Sequence, residues 1–345
     1  MDQAMRQPPV LQRRGGATCV VVGGVSLEVV HENIGGTSCG RSNGCSEEVN
    51  TKDADSDDEG LEMMTWFFED GFSLASATGF ARVWPGASAL IRALDDDADP
   101  VRQAFETAAE ARKAARASPG NRNAPVCVEL GAGCGLVGLA AAAVAGADVL
   151  LTDTAPVVQG VLERNVARNT VAWSSSSQDG AISSATAPWP GAQRLGLGTV
   201  AAAVLDWTRP VSDQLQGPSW YPDVILAAEC VWLAELVEPF ADAAAALLHR
   251  REYCGAVDES QGDAFLTLTM LRPVLFLSSR ERAKAGSTTF SRVHSALSAL
   301  AARRCGDCQL VAQYDSDAGL DDGEDEEGPL LVYAVRSDRP TSNAE

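Results

Sequence analysis

Residues 126–138 read VCVELGAGCGLVG, and this stretch decides the fold of the chain. It opens with an apolar run, residues 126–130, that has the length of a buried strand, and a glycine-rich turn follows directly. An Ala-rich helix candidate, Val137–Ala145, begins after the turn. A strand, a glycine-rich turn and a helix in this order are typical of the first unit of a doubly wound sheet. There, glycine lets the backbone adopt positive φ and lets a ligand approach the main chain.

The same alternation of strand and helix patterns continues to the end of the chain. Further strand candidates lie at 148–152, 200–205, 223–228, 265–279, 309–314 and 330–335. Helix candidates lie at 87–94, 99–118, 156–169, 236–250 and 290–303. Strands that alternate with helices indicate a mostly parallel sheet covered on both faces, and two final strands without a helix between them should pair antiparallel. We therefore predict an α/β fold with a doubly wound, mostly parallel seven-stranded sheet and an antiparallel last strand.

The chain before this pattern divides into two segments. Thr18–Val22 and Val25–Val30 flank a Gly-Gly pair, which predicts a short β-hairpin within an N-terminal segment, 1–34. Residues 35–62 are rich in Gly, Ser and acidic side chains, and they predict a disordered insertion. The main domain then spans 63–345, with loop insertions expected near 172–196, 255–263 and 315–329.

The acidity of the chain is confined to a few segments. Acidic residues outnumber basic ones 47 to 27, which gives a net charge of −20. Of these acids, 20 lie at 47–62, 95–99 and 315–327, so the remainder of the chain is nearly neutral. This balance argues against a nucleic-acid backbone as a partner. Solvated acidic segments could instead draw a basic protein surface toward the site.

The lengths of the apolar runs and the number of cysteines indicate where in the cell the protein is located. No run approaches the roughly 20 apolar residues that span a bilayer, so we expect no membrane partner. Nine cysteines are an odd number in a long chain, which favours reduced thiols and a cytoplasmic location. An organellar leader or a nuclear location stays open. With three histidines and a single C-x-x-C, at Cys305 and Cys308, we predict no metal site.

Two overlapping glycine patterns leave the ligand of the turn open. Gly133, Gly135 and Gly138 satisfy G-x-G-x-x-G, which would place a dinucleotide pyrophosphate on a helix N-terminus. Glu129, Gly131, Gly133 and Gly135 satisfy E-x-G-x-G-x-G, the loop that class I methyltransferases wrap around S-adenosylmethionine.

Acidic and aromatic residues after the next strands favour the second pattern. Asp153 ends the second strand, where a carboxylate can accept hydrogen bonds from ribose hydroxyls with either ligand. Alternatively, Asp153 caps the following helix, because Pro156 lies just inside that helix. Asp206 and Trp207 end the third strand, where an acid could accept from an adenine amino group and an indole could pack on the ring. A core or rim position is the alternative for Trp207.

With these residues in place, the chain resembles the protein-lysine methyltransferase-like branch of the seven-strand methyltransferases. The resemblance covers roughly residues 75–250 and continues more weakly through the last two strands. The order and spacing of its pieces are more specific than any one of them. The pieces are Thr78–Ala87 (TGFARVWPGA), Glu129–Gly138 (ELGAGCGLVG), Leu151–Asp153, Asn165-Val166 with Asn169, Leu205–Trp207 and Asp223–Trp232 (DVILAAECVW).

The resemblance implies a Rossmann-like class I fold, S-adenosyl-L-methionine as cofactor, and a set of pocket residues. The implied cofactor residues are Trp84, Gly131, Ala132, Gly133, Gly135, Asp153, Asp206, Trp207 and Ala228. The family commonly has D-x-x-Y after the fourth strand, where this chain has Glu229-Cys230-Val231-Trp232. Glu229 and Trp232 are therefore the catalytic candidates, Glu229 to anchor an incoming cation and Trp232 to offer a π face. Alternatively, Glu229 caps the strand-to-helix turn and Trp232 packs on the sheet edge.

Cys134 and Cys230 lie near this pocket, where we expect both to be buried as small apolar residues. We predict a protein-lysine N-methyltransferase that transfers the methyl group in line to a deprotonated amine and acts as a monomer on a protein substrate. Histidine, arginine, N-terminal amine and small-molecule acceptors stay open. An NAD(P)-dependent oxidoreductase and a catalytically silent binding module with the same fold are the alternatives.

Overall fold

The structure is a computed structural model, and it describes residues 9, 11–14, 17–30, 83–114, 124–170, 189–215, 222–249, 272–280, 288–303, 305–306, 308–314 and 329–336. Its strands are β1 (Gln12–Arg14), β2 (Ala17–Val22), β3 (Val25–Val30), β4 (Val126–Leu130), β5 (Asp148–Asp153), β6 (Gln193–Leu195), β7 (Gly198–Val204), β8 (Val224–Ala228), β9 (Val274–Arg280), β10 (Gln309–Tyr314) and β11 (Leu330–Arg336). Its helices are α1 (Pro85–Asp95), α2 (Pro100–Ala114), α3 (Leu136–Ala145), α4 (Ala155–Val157), α5 (Glu163–Asn169), α6 (Val211–Gln214), α7 (Val237–Leu248) and α8 (Thr288–Ala302). A π-helical turn, Val158–Leu162, joins α4 to α5, and a 3₁₀ turn, Ala234–Leu236, precedes α7.

The main sheet has eight strands in the order β10-β11-β9-β8-β4-β5-β7-β6. The five strands from β9 to β7 are parallel, β11 lies antiparallel between β9 and β10, and β6 adds an antiparallel edge beyond β7. The chain runs from β4 outward through β5 and β7, and it then returns to the other side of β4 with β8 and β9. In open α/β sheets, ligands bind outside the carboxyl ends of the strands at such a reversal. The glycine-rich turn after β4 lies at this point.

The six strands from β11 to β7 each contribute alternate side chains to two cores, as expected for a sheet covered on both faces. On one face, Cys127, Val149 and Leu226 pack with α1, α3 and the N-terminal strands. On the other face, Val128 and Ile225 pack with α7 and α8. Of the helices in the described residues, none combines the length and the apolar character that a bilayer span requires.

The predicted fold class is confirmed, and two short strands extend it. All seven predicted strands form, and the last is antiparallel as predicted. The predicted loop at 172–196 is wrong at its end, where Gln193–Leu195 forms the eighth strand. A three-residue strand shows too little alternation to be recognised, and it is held by a tight turn at Gly196, whose φ is 54°. Residues 172–188 of this predicted loop lie outside the described residues.

Several other predictions lie wholly or partly outside the described residues. These are the acidic insertion at 35–62, the loops at 255–263 and 315–329 except for residue 329, the end of the predicted helix at 99–118 and the beginning of the predicted strand at 265–279. Of the last, Val274–Arg280 forms a single strand, which starts directly after Pro273 because proline has no N–H to donate within a sheet.

The predicted N-terminal hairpin is confirmed as β2 and β3, which pair antiparallel across Gly23 and Gly24. β1 adds a third strand to this small sheet, and its polar sequence Gln-Arg-Arg gave no strand pattern. Leu27 and Val29 of β3 are fully buried in the core that also contains α3. The fit at Gly23 is close, since a Cβ added there would lie 2.4 Å from Cγ1 of Val144. The N-terminal strands therefore pack directly on the main sheet's helical layer.

Candidate functional site

The glycine-rich turn brings the ends of three strands together. Gly131 follows β4 with φ of 65°, a conformation that favours glycine. A Cβ at Gly131 would lie 2.6 Å from Cβ of Cys230, which follows β8, and 3.2 Å from Cη2 of Trp207, which follows β7. The absence of a side chain at Gly131 therefore lets the turn, Cys230 and Trp207 meet at the carboxyl edge of the sheet.

Asp153 at the end of β5 holds the turn in place. Its Oδ2 accepts a hydrogen bond from the backbone N–H of Gly133 at 2.8 Å, and its Oδ1 accepts one from Thr154 at 2.7 Å. Burial raises the pKa of this carboxyl above its ordinary value, although both hydrogen bonds act in the opposite direction. The alternative that Asp153 caps α4 is wrong, because Thr154 occupies the N-cap position. Oδ2 keeps a further lone pair for a ligand hydroxyl, whereas Oδ1 also accepts from the hydroxyl of Thr154 at 3.4 Å.

Glu129 is a buried carboxyl group beneath the turn. Its residue is 2% exposed, and its Oε2 accepts a hydrogen bond at 2.9 Å from the backbone N–H of Gly138. Gly138 is the third residue of α3, so this contact satisfies one of the amides that a helix N-terminus leaves without a partner. Burial raises the pKa of Glu129 to about 8. Glu129 belongs to the glycine motif without a predicted role of its own, although an acidic residue in a buried strand directly before glycines is a signal for one.

Asp206 and Trp207 form a turn beside the glycine-rich loop. Oδ1 of Asp206 accepts hydrogen bonds from the N–H and the hydroxyl of Thr208, at 2.9 and 2.7 Å. The ring of Trp207 packs edge-on against Phe240 of α7, with centroids 5.4 Å apart. Its Nε1 is buried and has no hydrogen-bond partner among the described residues. Trp207 thus combines a packed body with an edge that lies over Gly131.

Glu229 joins α1, β8 and β9 on the other side of the reversal. It is 5% exposed, and its backbone φ is 46°, a conformation that residues other than glycine rarely adopt. Its Oε2 accepts from the N–H of Gly86 at 2.8 Å, and its Oε1 accepts from the N–H of Arg280 at 3.1 Å. Glu229 therefore caps a helix N-terminus as the alternative supposed, but the helix is α1 rather than the one that follows β8.

The remaining predicted site residues are placed by their neighbours in the chain. Trp84 is partly buried and directly precedes α1, so it stands two residues before Gly86. Ala228 ends β8 directly before Glu229. Trp232 is partly buried in the segment between β8 and the 3₁₀ turn. The contacts above tie the glycine turn to Asp153 and Trp207, whereas Trp232 joins the site only through its position after Glu229.

Two residues of β9 that the sequence does not predict also belong to the site, one as a partner of Glu229 and one as a partner of Gly86. Arg280 is 4% exposed at the end of β9, and Ser278, also on β9, donates from its Oγ to the carbonyl of Gly86 at 2.8 Å. These residues lie 51 and 192 positions from their partners. A local sequence pattern does not predict these two contacts, because the pairing of β9 with β8 brings the two residues to the carboxyl edge of the sheet.

The two cysteines near the site are buried, as predicted. Cys134 is 4% exposed and Cys230 is 8% exposed. Burial raises the pKa of Cys134 to about 12 and that of Cys230 further, so both thiols are protonated at neutral pH. They act as small apolar side chains rather than as nucleophiles.

Comparisons with known proteins give one family match and several similar solved structures. Residues 76–186 match the family model described as lysine methyltransferase. Among solved structures, the precorrin-6y C5,15-methyltransferase of Geobacter metallireducens is similar with a TM-score of 0.31 and 14% identity, over 67% of this chain and 87% of that one. Human N-acetylserotonin methyltransferase, solved in complex with SAM, is similar with a TM-score of 0.31 and 9% identity, over 80% of this chain and 58% of that one.

The matched segment contains α1, the glycine-rich turn, Asp153 and α5. It therefore includes most of the pieces on which the resemblance was based. The resemblance predicted from the sequence is thus confirmed, and lysine methyltransferase is the family that residues 76–186 of this chain match.

Proposed function

We propose that the chain is an S-adenosylmethionine-dependent methyltransferase that transfers a methyl group to a lysine side chain of a protein. The observation that carries this proposal is the family match over residues 76–186, which includes the turn that Asp153 holds against Gly133. Three strand ends meet at that turn, at the reversal of strand order where ligands of such sheets bind.

The residues around the turn fit the cofactor. A Cβ at Gly131 would lie 2.6 Å from Cβ of Cys230 and 3.2 Å from Cη2 of Trp207, so glycine lets the main chain of the turn lie this close to both residues. Asp153 has acceptor capacity for ribose hydroxyls, and Asp206 stands beside Trp207 with a second carboxylate. The residues that would hold the cofactor are Trp84, Gly131, Ala132, Gly133, Gly135, Asp153, Asp206, Trp207 and Ala228. When bound, the cofactor supplies the electrophilic methyl group.

Glu229 and Trp232 would face the methyl acceptor. A lysine ammonium has no lone pair, so the amine must lose its proton before it can attack. The carboxylate of Glu229 would attract the incoming cation, and its position is fixed because Gly86 and Arg280 both donate to it. Trp232 would contribute a π face to the same cation. In-line transfer needs little more than this positioning, together with exclusion of water.

The contact of Glu129 disfavours the dinucleotide alternative. A pyrophosphate would use the free amides at the N-terminus of α3, and the carboxyl of Glu129 already accepts from Gly138 there.

Calorimetric titration with S-adenosylhomocysteine, with a nicotinamide dinucleotide in parallel, tests the cofactor. We expect micromolar affinity for S-adenosylhomocysteine alone, weakened more than about tenfold by Asp153→Asn, which loses part of a charge-assisted hydrogen-bond site. Asp213→Asn is the matched control, because Asp213 is exposed on α6 and touches none of these residues. Binding of the dinucleotide instead would overturn the proposal.

Incorporation of a labelled methyl group tests the reaction and the acceptor. A screen over basic protein substrates, followed by mapping of the modified residue, should place the label on lysine. Label on histidine, arginine or an N-terminal amine would keep the methyltransferase and change the acceptor. Tight binding of S-adenosylhomocysteine with no transfer to any substrate would favour the catalytically silent module.

A further inference from the structure

Two asparagines of α5 form hydrogen bonds with backbone groups at the outer edge of β3 in the N-terminal sheet. Among the described strands, β3 pairs with β2 on one side only, so the backbone groups of its other edge need different partners. Oδ1 of Asn169 accepts from the N–H of Glu28 at 2.8 Å, and its Nδ2 donates to the carbonyl of Glu28 at 2.7 Å. Oδ1 of Asn165 accepts from the N–H of Val30 at 2.9 Å, and its Nδ2 donates to the carbonyl of Val30 at 3.3 Å.

The spacing of the two asparagines along α5 explains why both side chains reach the edge of β3. Residues four apart lie on one face of a helix, and residues two apart lie on the same edge of a strand. Asn165 and Asn169 therefore present two amides to Glu28 and Val30, and each amide acts as one residue of a neighbouring strand would. The exposed pair of Arg168 and Glu28, at 2.9 Å, adds little, since surface ion pairs contribute weakly.

Asn165 has one contact that Asn169 lacks. Its Nδ2 also donates to the carbonyl of Cys134 at 3.0 Å, and Cys134 lies within the glycine-rich turn. Asn165 is fully buried, so this amide group has no water to replace a lost partner. A single side chain thus contacts both the edge of β3 and the turn that would hold the cofactor.

We propose that Asn165 is a positioning residue that couples docking of the N-terminal sheet to the conformation of the glycine-rich turn, and hence to cofactor binding. The inference rests on the proposed function for its last step. Because coupling between two sites is reciprocal, cofactor binding should stabilise the contact of β3 with α5 by the same factor by which docking strengthens binding.

Asn165→Asp and Asn169→Asp make a matched pair of variants. Both keep the acceptor oxygen toward β3 and replace the donating Nδ2 with an oxygen that repels the facing carbonyl. Both therefore weaken the edge of β3. Asn165→Asp also loses the donor to the carbonyl of Cys134, whereas Asn169→Asp also loses the donor to the carbonyl of Asn165 within α5, at 2.8 Å. Titration with S-adenosylhomocysteine measures the effect on the cofactor, and thermal unfolding of each apo protein confirms that it folds.

We expect Asn165→Asp to weaken binding by about fivefold or more, the lower end of typical coupling, and Asn169→Asp to change it less than about twofold. In the wild type, S-adenosylhomocysteine should slow amide exchange at Glu28 and Val30, and Asn165→Asp should abolish this protection. Equal effects of the two variants on binding, or no effect of either, would overturn the proposal.

Amide exchange in the absence of any ligand separates this proposal from the proposed function. The N–H of Gly135 is bonded to the carbonyl of Ala132 within the turn, at 2.7 Å. Faster exchange of this amide in Asn165→Asp than in Asn169→Asp would support positioning of the turn, even if the wild type failed to bind S-adenosylhomocysteine. Equal exchange rates would reject it.

Discussion

At the scale of single residues, Glu129 makes the stability of the protein depend on pH. Its pKa is about 8 in the folded chain and 4.5 ordinarily, so the folded state holds one more proton between these values. The contribution of Glu129 to stability is complete below about pH 4.5, and it falls by about 1.4 kcal/mol per pH unit as the pH rises toward 8. We expect Glu129→Gln, a neutral acceptor of the same shape, to remove this component of the slope.

Urea unfolding of the wild type and Glu129→Gln at several values between pH 5 and pH 8 checks this prediction. Other groups titrate in both proteins, so the difference between the two slopes isolates Glu129. Parallel slopes would mean that Glu129 is ionised in the folded protein throughout this range.

Gly131 supports a second prediction at this scale. An alanine there would adopt φ of 65° and would also place its Cβ against Cys230 and Trp207. Gly191→Ala is the matched control, because Gly191 has φ of 73° and open space around the added Cβ. We expect Gly191→Ala to cost about 1–2 kcal/mol of unfolding free energy and Gly131→Ala to cost more, with loss of S-adenosylhomocysteine binding. Equal costs by urea unfolding would show that the turn can shift freely.

At the scale of elements, α2 is anchored to the sheet by one ion pair. Nε of Arg112 contacts Oδ2 of Asp223, whose side chain is fully buried and also accepts from the N–H of Val126 at 2.8 Å. Removal of one partner from a buried pair leaves an uncompensated charge, so Arg112→Ala should lower the unfolding free energy by about 3–5 kcal/mol. Lys113→Ala, at an exposed position next to it on the same helix, should cost less than about 0.5 kcal/mol. Similar costs for both in urea unfolding would show that Asp223 reaches water.

The elements differ in how well the sequence predicts them. The apolar runs of β4, β8 and β10 are local signals, and their predicted bounds agree with the structure to within one residue. β1 and β6 have no such pattern, because short edge strands are held by the pairing of their neighbours. In the site, Gly131 and Asp153 follow from a local motif, whereas the contacts of Glu229 with Gly86 and Arg280 depend on tertiary packing across 143 and 51 residues.

At the scale of the whole molecule, the net charge of −20 should make stability depend on salt. Self-repulsion destabilises a compact state, and raising the salt from about 0.01 to 0.15 M shortens the screening length from about 30 to 8 Å. We expect the unfolding free energy in urea at pH 7 to rise over this range. Near pH 4.5, where the net charge approaches zero, the same salt change should have little effect. A salt dependence that is the same at both pH values would contradict this explanation.

The position of β11 has a consequence for the order in which the sheet can be completed during synthesis. β10 leaves the ribosome before β11, yet within the described sheet its hydrogen-bonded neighbour is β11. The backbone N–H and C=O groups of β10 therefore stay unpaired until β11 has been synthesised and has paired with both β10 and β9. A nascent chain halted between these two strands would carry an unfinished sheet with two exposed edges, which is the form most prone to join a second chain.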